Sequence, residues 1–584
     1  MRRSKRLCAA DVARQLGVDI DSENSSDTSS EPTSESEEED MNSYLNLTTT
    51  TAATEMDWRF VQSNEDHHVP LEDFTALCSG IQSDDVPVSA NENVQFFLDL
   101  FLTEELFDNL IYWTNKRAEK YMESEDTEPN AQLSHMLARW HPVSKNELRK
   151  FFGILLCMRL NQKPEIRQYW SRNILYKSDF FQDFKCLPRN RFEEISKYLR
   201  FCDYDHLSDS DKLSKIRPFL EMVKRLCKSV YIPKNRVSVD ESLLLYKGRL
   251  GMRRYIPSKR ARYGILSYCL CESDTGYTWN IFVAAGKNEN DALTQCLPSE
   301  AQSFTFSEKI VVALLDSLLG SGFHVFFDNF FGSVRLAHYL FQNKTLVTGT
   351  IRHFRGVPEM LKERVVRAKS QAFCRKDEIL CVKVVDKKTS GLKTVYLIDT
   401  AHSAQTETRN RILRGGIQDT VEKCTSVLQY NRAMGGVDMR DGSLHPYCMA
   451  RKSFKWFTKL GVHLMQVMIR NSWIVFRSCG GDFDFLTFQE KVIELLVMGT
   501  GEGRRGGSRG GRVLSQNNNN AMSLHIPTRL PPTQKKSRPA KRCRVCWGRG
   551  QRKETVFICS ACPTNPGLCV DECFREFHIS MSAE

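Results

Sequence analysis

Apolar positions recur at two different spacings along the chain, and the switches between them mark its parts. From Asn91 the spacing is helical: Val94, Phe97, Leu98, Phe101, Leu102, Leu106, Leu110 and Trp113 fall on one stripe. Ser144 and Glu147 form a capping box ahead of Leu148, Phe151, Phe152, Leu155 and Leu156. Pro188 opens a helix carrying Phe192, Ile195, Leu199 and Phe201, and Pro218 sits early in another through Phe219, Val223 and Leu226. Residues 91–235 therefore read as a helical domain with its aromatic stripes in the core. The same texture returns over 445–500 with Phe454, Trp456, Phe457, Leu460, Leu464, Val467 and Met468, so the helical domain is split.

The spacing between these halves is that of strands. Arg236–Ser242 alternates β-branched with polar residues and places Asp240 at or near a strand end. Ile265–Cys271 and Tyr277–Ala284 flank the turn Ser273-Asp274-Thr275-Gly276, an antiparallel hairpin signal. A helix over Ser307–Leu319 ends at Gly320 and Gly322. The apolar run His324–Phe327 leads into Asp328, then come a helix over Ser333–Asn343 and a strand over Leu346–Thr350. Three strands, helix, strand, helix, strand is the ribonuclease-H-like order, in which the first and fourth strands carry acids at neighbouring positions. The core is thus expected over 236–352 and 425–444. Between them, 353–424 is a β-rich insertion with its own hairpin, Ile379–Val385 and Lys393–Ile398. Asp438 and Asp441 lie three residues apart, on one face if that segment is helical. The fold class expected is multidomain α/β.

The ends have no such spacing. Residues 1–90 read as a disordered acidic region, since Asp19–Asp40 is acids and hydroxyl residues with almost no large apolar ones. Residues 501–540 read as a flexible linker of Gly, Arg, Asn and Pro. Residues 541–584 hold Cys543, Cys546, Cys559, Cys562, Cys569, Cys573 and His578. Two Cys-x2-Cys knuckles at this separation signal structural Zn²⁺. Seven ligands exceed one site and fall one short of two; a second zinc needs Asp571 or a water.

Charge narrows the partner. The chain of 584 residues carries a formal +11 despite its acidic start, which fits a polyanion. A basic and aromatic run follows Asp240: Lys247, Arg249, Arg253, Arg254, Tyr255, Lys259, Arg260, Arg262 and Tyr263. Arg451, Lys452, Lys455 and Lys459, interleaved with Phe454 and Trp456, form a second patch. Both are candidate DNA contacts. Twenty cysteines in a chain this size, six of them in the metal-spaced tail, indicate a reducing compartment. No apolar run reaches membrane-spanning length and no secretory signal is visible, so neither a membrane nor a small molecule is the expected partner. Asp240, Asp328 and Asp438 on separate elements supply the oxygen ligands two Mg²⁺ ions need, with Asp441 beside them.

These pieces together resemble the piggyBac family of cut-and-paste DNA transposases and their domesticated relatives. The residues that carry the resemblance are Val239-Asp240-Glu241-Ser242, Lys247-Gly248-Arg249, Arg254-Tyr255-Ile256-Pro257-Ser258-Lys259, Tyr263-Gly264, Cys271-Glu272-Ser273-Asp274-Thr275-Gly276-Tyr277, Asp328-Asn329-Phe330-Phe331, Gly349-Thr350-Ile351-Arg352, Tyr430-Asn431 and Gly435-Gly436-Val437-Asp438, with the C-terminal Cys/His pattern. The resemblance implies a ribonuclease-H-like core with Asp240, Asp328 and Asp438 as catalytic triad and Asp441 as fourth acid. It also implies split helical segments for dimerisation and DNA binding, and a cysteine-rich domain on transposon ends. The implied reaction is Mg²⁺-dependent nicking, hairpin formation and transfer into TTAA targets by a dimer. The run Lys535-Lys536-Ser537-Arg538-Pro539-Ala540-Lys541-Arg542 ahead of the cysteines reads as a nuclear-import or DNA-contact segment, so a nuclear homodimer is expected. Gly442 stands where family members often have Gln. The alternative expectation is a domesticated nuclear DNA-binding protein without catalysis.

Overall fold

The computed structural model describes residues 57–66, 79–123, 140–183, 186–257, 259–388, 391–412, 418–449, 455–499, 527–531, 536, 538–559, 562, 564–570 and 572–581. The chain divides into two compact units, Met1–Gly501 and Glu502–Glu584.

Helices open the first unit: α1 (Val94–Asp99), α2 (Glu104–Glu123), α3 (Lys145–Leu160), α4 (Arg189–Tyr198) and α5 (Arg217–Val230). The capping box before α3 is formed, with the Ser144 hydroxyl accepting from the Glu147 backbone and the Glu147 carboxylate accepting from Ser144. Pro188 is the N-cap of α4, and Pro218 lies in the first turn of α5, where its missing N–H costs no bond. The late helices α11 (Trp456–Ser478) and α12 (Phe485–Met498) join this layer. Phe97 meets Phe476 edge-on at 5.6 Å, and α12 lies along α3.

One mixed sheet occupies the middle of the unit. Its strands are β1 (Arg59–Val61), β2 (Arg236–Leu245), β3 (Arg253–Tyr255), β4 (Tyr263–Glu272), β5 (Thr278–Val283), β6 (His324–Phe327), β7 (Leu346–Ile351), β8 (Ser370–Lys376), β9 (Ile379–Lys388) and β10 (Gly391–Asp399). Their order is β1-β8-β9-β10-β7-β6-β2-β4-β3, with β5 also on β4. β2, β6 and β7 run parallel to one another, and β4 and β5 extend the sheet antiparallel on the β2 side. Every residue of β6 is buried, as a central parallel strand covered on both faces requires. The connections are helical: α6 (Lys287–Cys296) and α7 (Phe306–Leu315) between β5 and β6, and α8 (Val334–Gln342) between β6 and β7. α6 was not foreseen in the sequence, where its short polar run carries little periodicity.

Two expectations meet a different arrangement. The segment 353–424, read as an insertion, places β8, β9 and β10 in the same sheet, because β10 pairs antiparallel with β7. Within it only β11 (Thr406–Ile412) and β12 (Gln418–Cys424) form a separate hairpin. The acidic N-terminal region, read as disordered to residue 90, contributes β1 on the edge of β8. Asp66 anchors it, accepting from Arg375 at 2.6 Å and from the Ala404 backbone at 2.8 Å. Gly80–Ile81 pairs with Tyr231–Ile232. Tertiary partners supply the ordering that local composition does not.

After β12 come α9 (Thr425–Ala433) and α10 (Gly436–Leu444). α11 then grips the β4–β5 turn. Arg470 donates to the carbonyls of Gly276 and Thr275 at 2.6 and 2.8 Å. Asn471 accepts from the Thr278 N–H at 3.0 Å and donates to its carbonyl at 2.9 Å, acting as an extra strand residue. Both side chains are buried. Asn471→Ala strands both Thr278 groups away from water and should lower unfolding stability by about 2–3 kcal/mol in chemical denaturation; a change under about 0.5 kcal/mol would contradict this role.

Candidate active site and cysteine clusters

β2 and β6 pair in parallel with Val239 opposite Phe327, so the next residue of each strand is an acid, Asp240 beside Asp328. The two positions differ in context. β6 ends before Asp328, but β2 runs on to Leu245 paired with β4, so Asp240 lies mid-strand rather than at a strand end as the sequence had suggested. Asp328 closes a tight turn: its carboxylate accepts from the Phe330 N–H at 3.0 Å. Oxygens of Asp240, Asp328 and Glu241 lie within 4.8 Å of one another.

Glu241 is a member of this group that sequence reasoning passed over. Strict strand alternation assigns it to the face opposite Asp240. Its carboxylate is buried and paired with Lys259 at 3.3 Å, and Lys259 also donates to the Glu241 carbonyl. Lys259 was read as a DNA contact within the basic run; here it is turned to the acids. Its charge is held above the usual lysine range: burial works against it, but Glu241, Asp240 and Asp438 outweigh that.

Asp438 arrives from α10, in the first turn. Gly436 makes this possible. A Cβ there would lie 2.5 Å from Ser238 Oγ and 2.8 Å from the Glu272 carbonyl, so only glycine lets α10 lie this close to β2. Gly276, at φ 70°, faces it; a Cβ there would lie 2.8 Å from the Gly436 carbonyl. Asp438 stands outside the tight group of three, yet close enough for its charge to act on Asp240. Asp441 shares the Asp438 face of α10, 3.5 Å from the buried Arg440 guanidinium. That guanidinium also donates to Cys269 Sγ at 2.9 Å, and Cys269 lies on β4 directly opposite Asp240 of β2. Gly442 is exposed with open space around it, and α10 continues past it to Leu444.

The electrostatics are those of crowded carboxylates. Lost hydration raises Asp240 well above the usual range, and Glu241, Asp328 and Asp438 add to it. Asp328 is pushed up to about 7, first by lost hydration and then by Glu241, with the Phe330 N–H, Lys259 and Arg352 pulling the other way. Asp438 is raised by partial loss of hydration, against the pull of Lys259. One lysine does not neutralise this many acids. Hard oxygen donors with excess negative charge are a donor set suited to a divalent cation.

The remaining basic candidates divide. Lys247, Arg249, Arg253, Arg254, Arg260 and Arg262 are exposed. Lys455 is half-buried and donates to the Lys197 carbonyl at 2.6 Å, and Lys459 is buried in α11, so both are turned inward. Arg451 and Lys452 lie outside the described residues.

In the second unit the cysteines sort into two interleaved groups: Cys543, Cys546, Cys569 and Cys573, and Cys559, Cys562 and His578. In the first, Cys546 and Cys573 sulfurs are 3.5 Å apart. Burial works against the Cys543 thiolate, but backbone N–H groups of Cys546 and Cys569 more than offset it, bringing the thiol to about 7. In the second, His578 Nδ1–H donates to the Phe574 carbonyl at 2.7 Å on α13 (Glu572–Met581), leaving Nε2 facing Cys562 Sγ at 3.4 Å. Asp571 lies outside the described residues. The ordered unit starts before the expected 541 boundary: β13 (Pro527–Arg529) pairs with β14 (Phe557–Cys559).

Comparison with known proteins agrees with both units. The Transposase IS4 family matches residues 93–473, and a DDE_Tnp_1-like zinc finger family matches residues 527–579. PiggyBac transposable element-derived protein 3 of Homo sapiens is 25% identical over 415 residues, 68% of this chain and 63% of that protein. PiggyBac transposable element-derived protein 2 of Homo sapiens is 24% identical over 439 residues, 70% of this chain and 66% of that protein. The chain thus spans just under two thirds of the length of these relatives. A solved piggyBac transposase synaptic complex with hairpin DNA matches in fold, with a TM-score of 0.58 and 22% identity over 85% of this chain and 100% of that one. The family match covers most of the chain and includes Asp240, Asp328 and Asp438: this protein belongs to the Transposase IS4 family, in its piggyBac type.

Proposed function

We propose that this chain is a DNA transposase of the cut-and-paste type, cleaving and transferring strands at TTAA targets. The observation that carries the reading is the register of β2 against β6, which sets Asp240 beside Asp328 with α10 bringing Asp438 to the same strand. The sheet β5-β4-β2-β6-β7 with its helical crossovers is the order expected of a ribonuclease-H-like core, and the helices on either side of it in sequence are the proposed split domain. Asp240, Asp328 and Asp438 would hold Mg²⁺, with Glu241 supporting them and Asp441 behind Asp438. Bound there, two such ions stabilise the attacking and leaving oxygens of an in-line phosphoryl displacement. The chain's own part is to hold the acids on rigid elements. Lys259 offsets part of their repulsion, and the exposed arginines of the following run neutralise the backbone of double-stranded DNA. The two cysteine groups would hold structural Zn²⁺. A nuclear homodimer completes the reading, resting on the resemblance and the basic run Lys535–Arg542.

A DNA-binding protein without turnover is the second reading; the human relatives are named as derived from transposable elements. Strand nicking on terminal-repeat DNA separates the two. Asp240→Asn, Asp328→Asn and Asp438→Asn should each lower Mg²⁺-dependent nicking by more than about a hundredfold with DNA binding retained, and Asp441→Asn by about tenfold. Cutting that persists in Asp328→Asn removes the triad; a wild type that binds without cutting establishes the second reading.

The crowded acids also set a pH dependence. Between its ordinary 3.8 and about 7, Asp328 keeps in the folded chain a proton that the unfolded chain has lost. The stability of the metal-free protein therefore falls as pH rises through that window. Mg²⁺ should raise Tm by about 3 °C at pH 8, and far less at pH 5 where protons compete. Asp328→Asn should abolish the rise; an equal shift at both pH values would count against metal binding here.

Elemental analysis of the purified chain should find zinc at both cysteine groups. The site with three described protein ligands should empty first under a mild chelator, and His578→Ala should halve the zinc content. Unchanged zinc in His578→Ala would remove it from the ligand set.

A further inference from the structure

The hairpin of β3 and β4 carries a feature that the acid site leaves unused. Its turn delivers Lys259 to Glu241. Just behind the turn, Tyr255 stands opposite Tyr263 across the two strands. The ring centroids are 4.5 Å apart, with 32° between the planes. Both rings face solvent, 55% and 40% exposed. The Arg253 guanidinium lies over the Tyr263 ring, 5.2 Å from its centroid, and Arg254, Arg260 and Arg262 are exposed on the same hairpin. A cross-strand aromatic pair stabilises a hairpin, but that does not account for two exposed rings set beside cations. An exposed, tilted tyrosine pair flanked by positive charge suits an unpaired nucleotide: the base lies on a ring and its phosphates meet the guanidiniums.

We propose that Tyr255 and Tyr263 form a stacking platform for an unpaired base of the DNA strand being processed at the acids. The proposal rests on the DNA-processing reading above and names the form of DNA that this flank of the site takes. Distance supports it. Lys259 is four residues along from Tyr255, at most about 14 Å of chain, or about four nucleotides of a duplex strand. The tyrosines therefore lie within a few nucleotides' reach of a strand that has one phosphate at the acids. A paired base keeps its faces inside the duplex, so only a nucleotide taken out of the stack can use the platform. Because every base has a π face, the platform tolerates any sequence.

The test uses the full chain without added Mg²⁺, so that binding alone is read. Two duplex probes share one sequence, and in one of them about four central nucleotides, including a 2-aminopurine, are unpaired. The wild type should bind the unpaired probe about tenfold tighter and change the 2-aminopurine emission. Tyr255→Val/Tyr263→Val keeps strand-forming residues but removes both rings. It should lose the preference and the emission change, yet bind the paired probe within about twofold. Tyr255→Phe/Tyr263→Phe should behave as wild type. A Val variant that keeps the preference, a Val variant that loses both probes equally, or a Phe variant that fails like Val would each overturn the platform. A wild type that binds both probes alike would overturn it too, whereas a wild type that binds neither would overturn the DNA reading itself.

Discussion

The parallel pairing of β2 with β6 is the constraint on which the rest of the site depends. Side chains on a strand alternate between faces, so a slip of one residue would carry Asp328 away from Asp240 to the other side of the sheet. The register is held by burial: Val237, Val239, Val325 and Phe327 are all buried. The apolar residues that stabilise the sheet thereby decide where the charges meet. This also explains how carboxylates that repel one another stay together. Lost hydration first, and neighbouring acid charge after it, raises Asp240 and Asp328, but the buried strand pairing holds them in place.

Around that pair, several motif residues keep the frame rather than face the acids. Glu272 is fully buried at the end of β4. Its carboxylate accepts from Tyr231 Oη at 3.0 Å, from the Lys234 N–H at 2.8 Å and from Thr275 Oγ1 at 2.9 Å. Asp274 pairs with Arg236 at 2.9 Å, and Tyr277 donates to the Cys227 carbonyl at 2.7 Å. The turn so fixed is the one that α11 grips through Arg470 and Asn471, and on which Gly436 packs. A stretch that reads in sequence as a simple hairpin turn is therefore where the sheet, α10 and the late helical layer meet.

Charge is distributed in the same economical way. Lys259 belongs to a basic run that looks uniform in sequence, yet it alone is placed on the acids, while its neighbours stay in solvent. Lys455, next to an aromatic stripe, is drawn inward, and burial first of all lowers it to about 8. Formal charge counts such residues alike; their surroundings do not.

Sequence by itself determined the elements whose causes are local. The capping box of α3, the prolines that open α4 and α5, the β4–β5 hairpin and the apolar run ending in Asp328 were all legible, because each depends on a few neighbouring residues. The cysteine spacing likewise picked out the side chains that the fold gathers into two clusters. Tertiary structure alone decided the rest. It put Glu241 with Asp240 and Asp328, sorted the six cysteines and His578 into groups of four and three, drew β8, β9 and β10 of 353–424 into the main sheet, and set Arg59–Val61 on its edge. The physical reason is common to all of these. Each rests on a partner far away in the chain, and a residue's own neighbours carry no record of which distant strand, helix or charge will cover it.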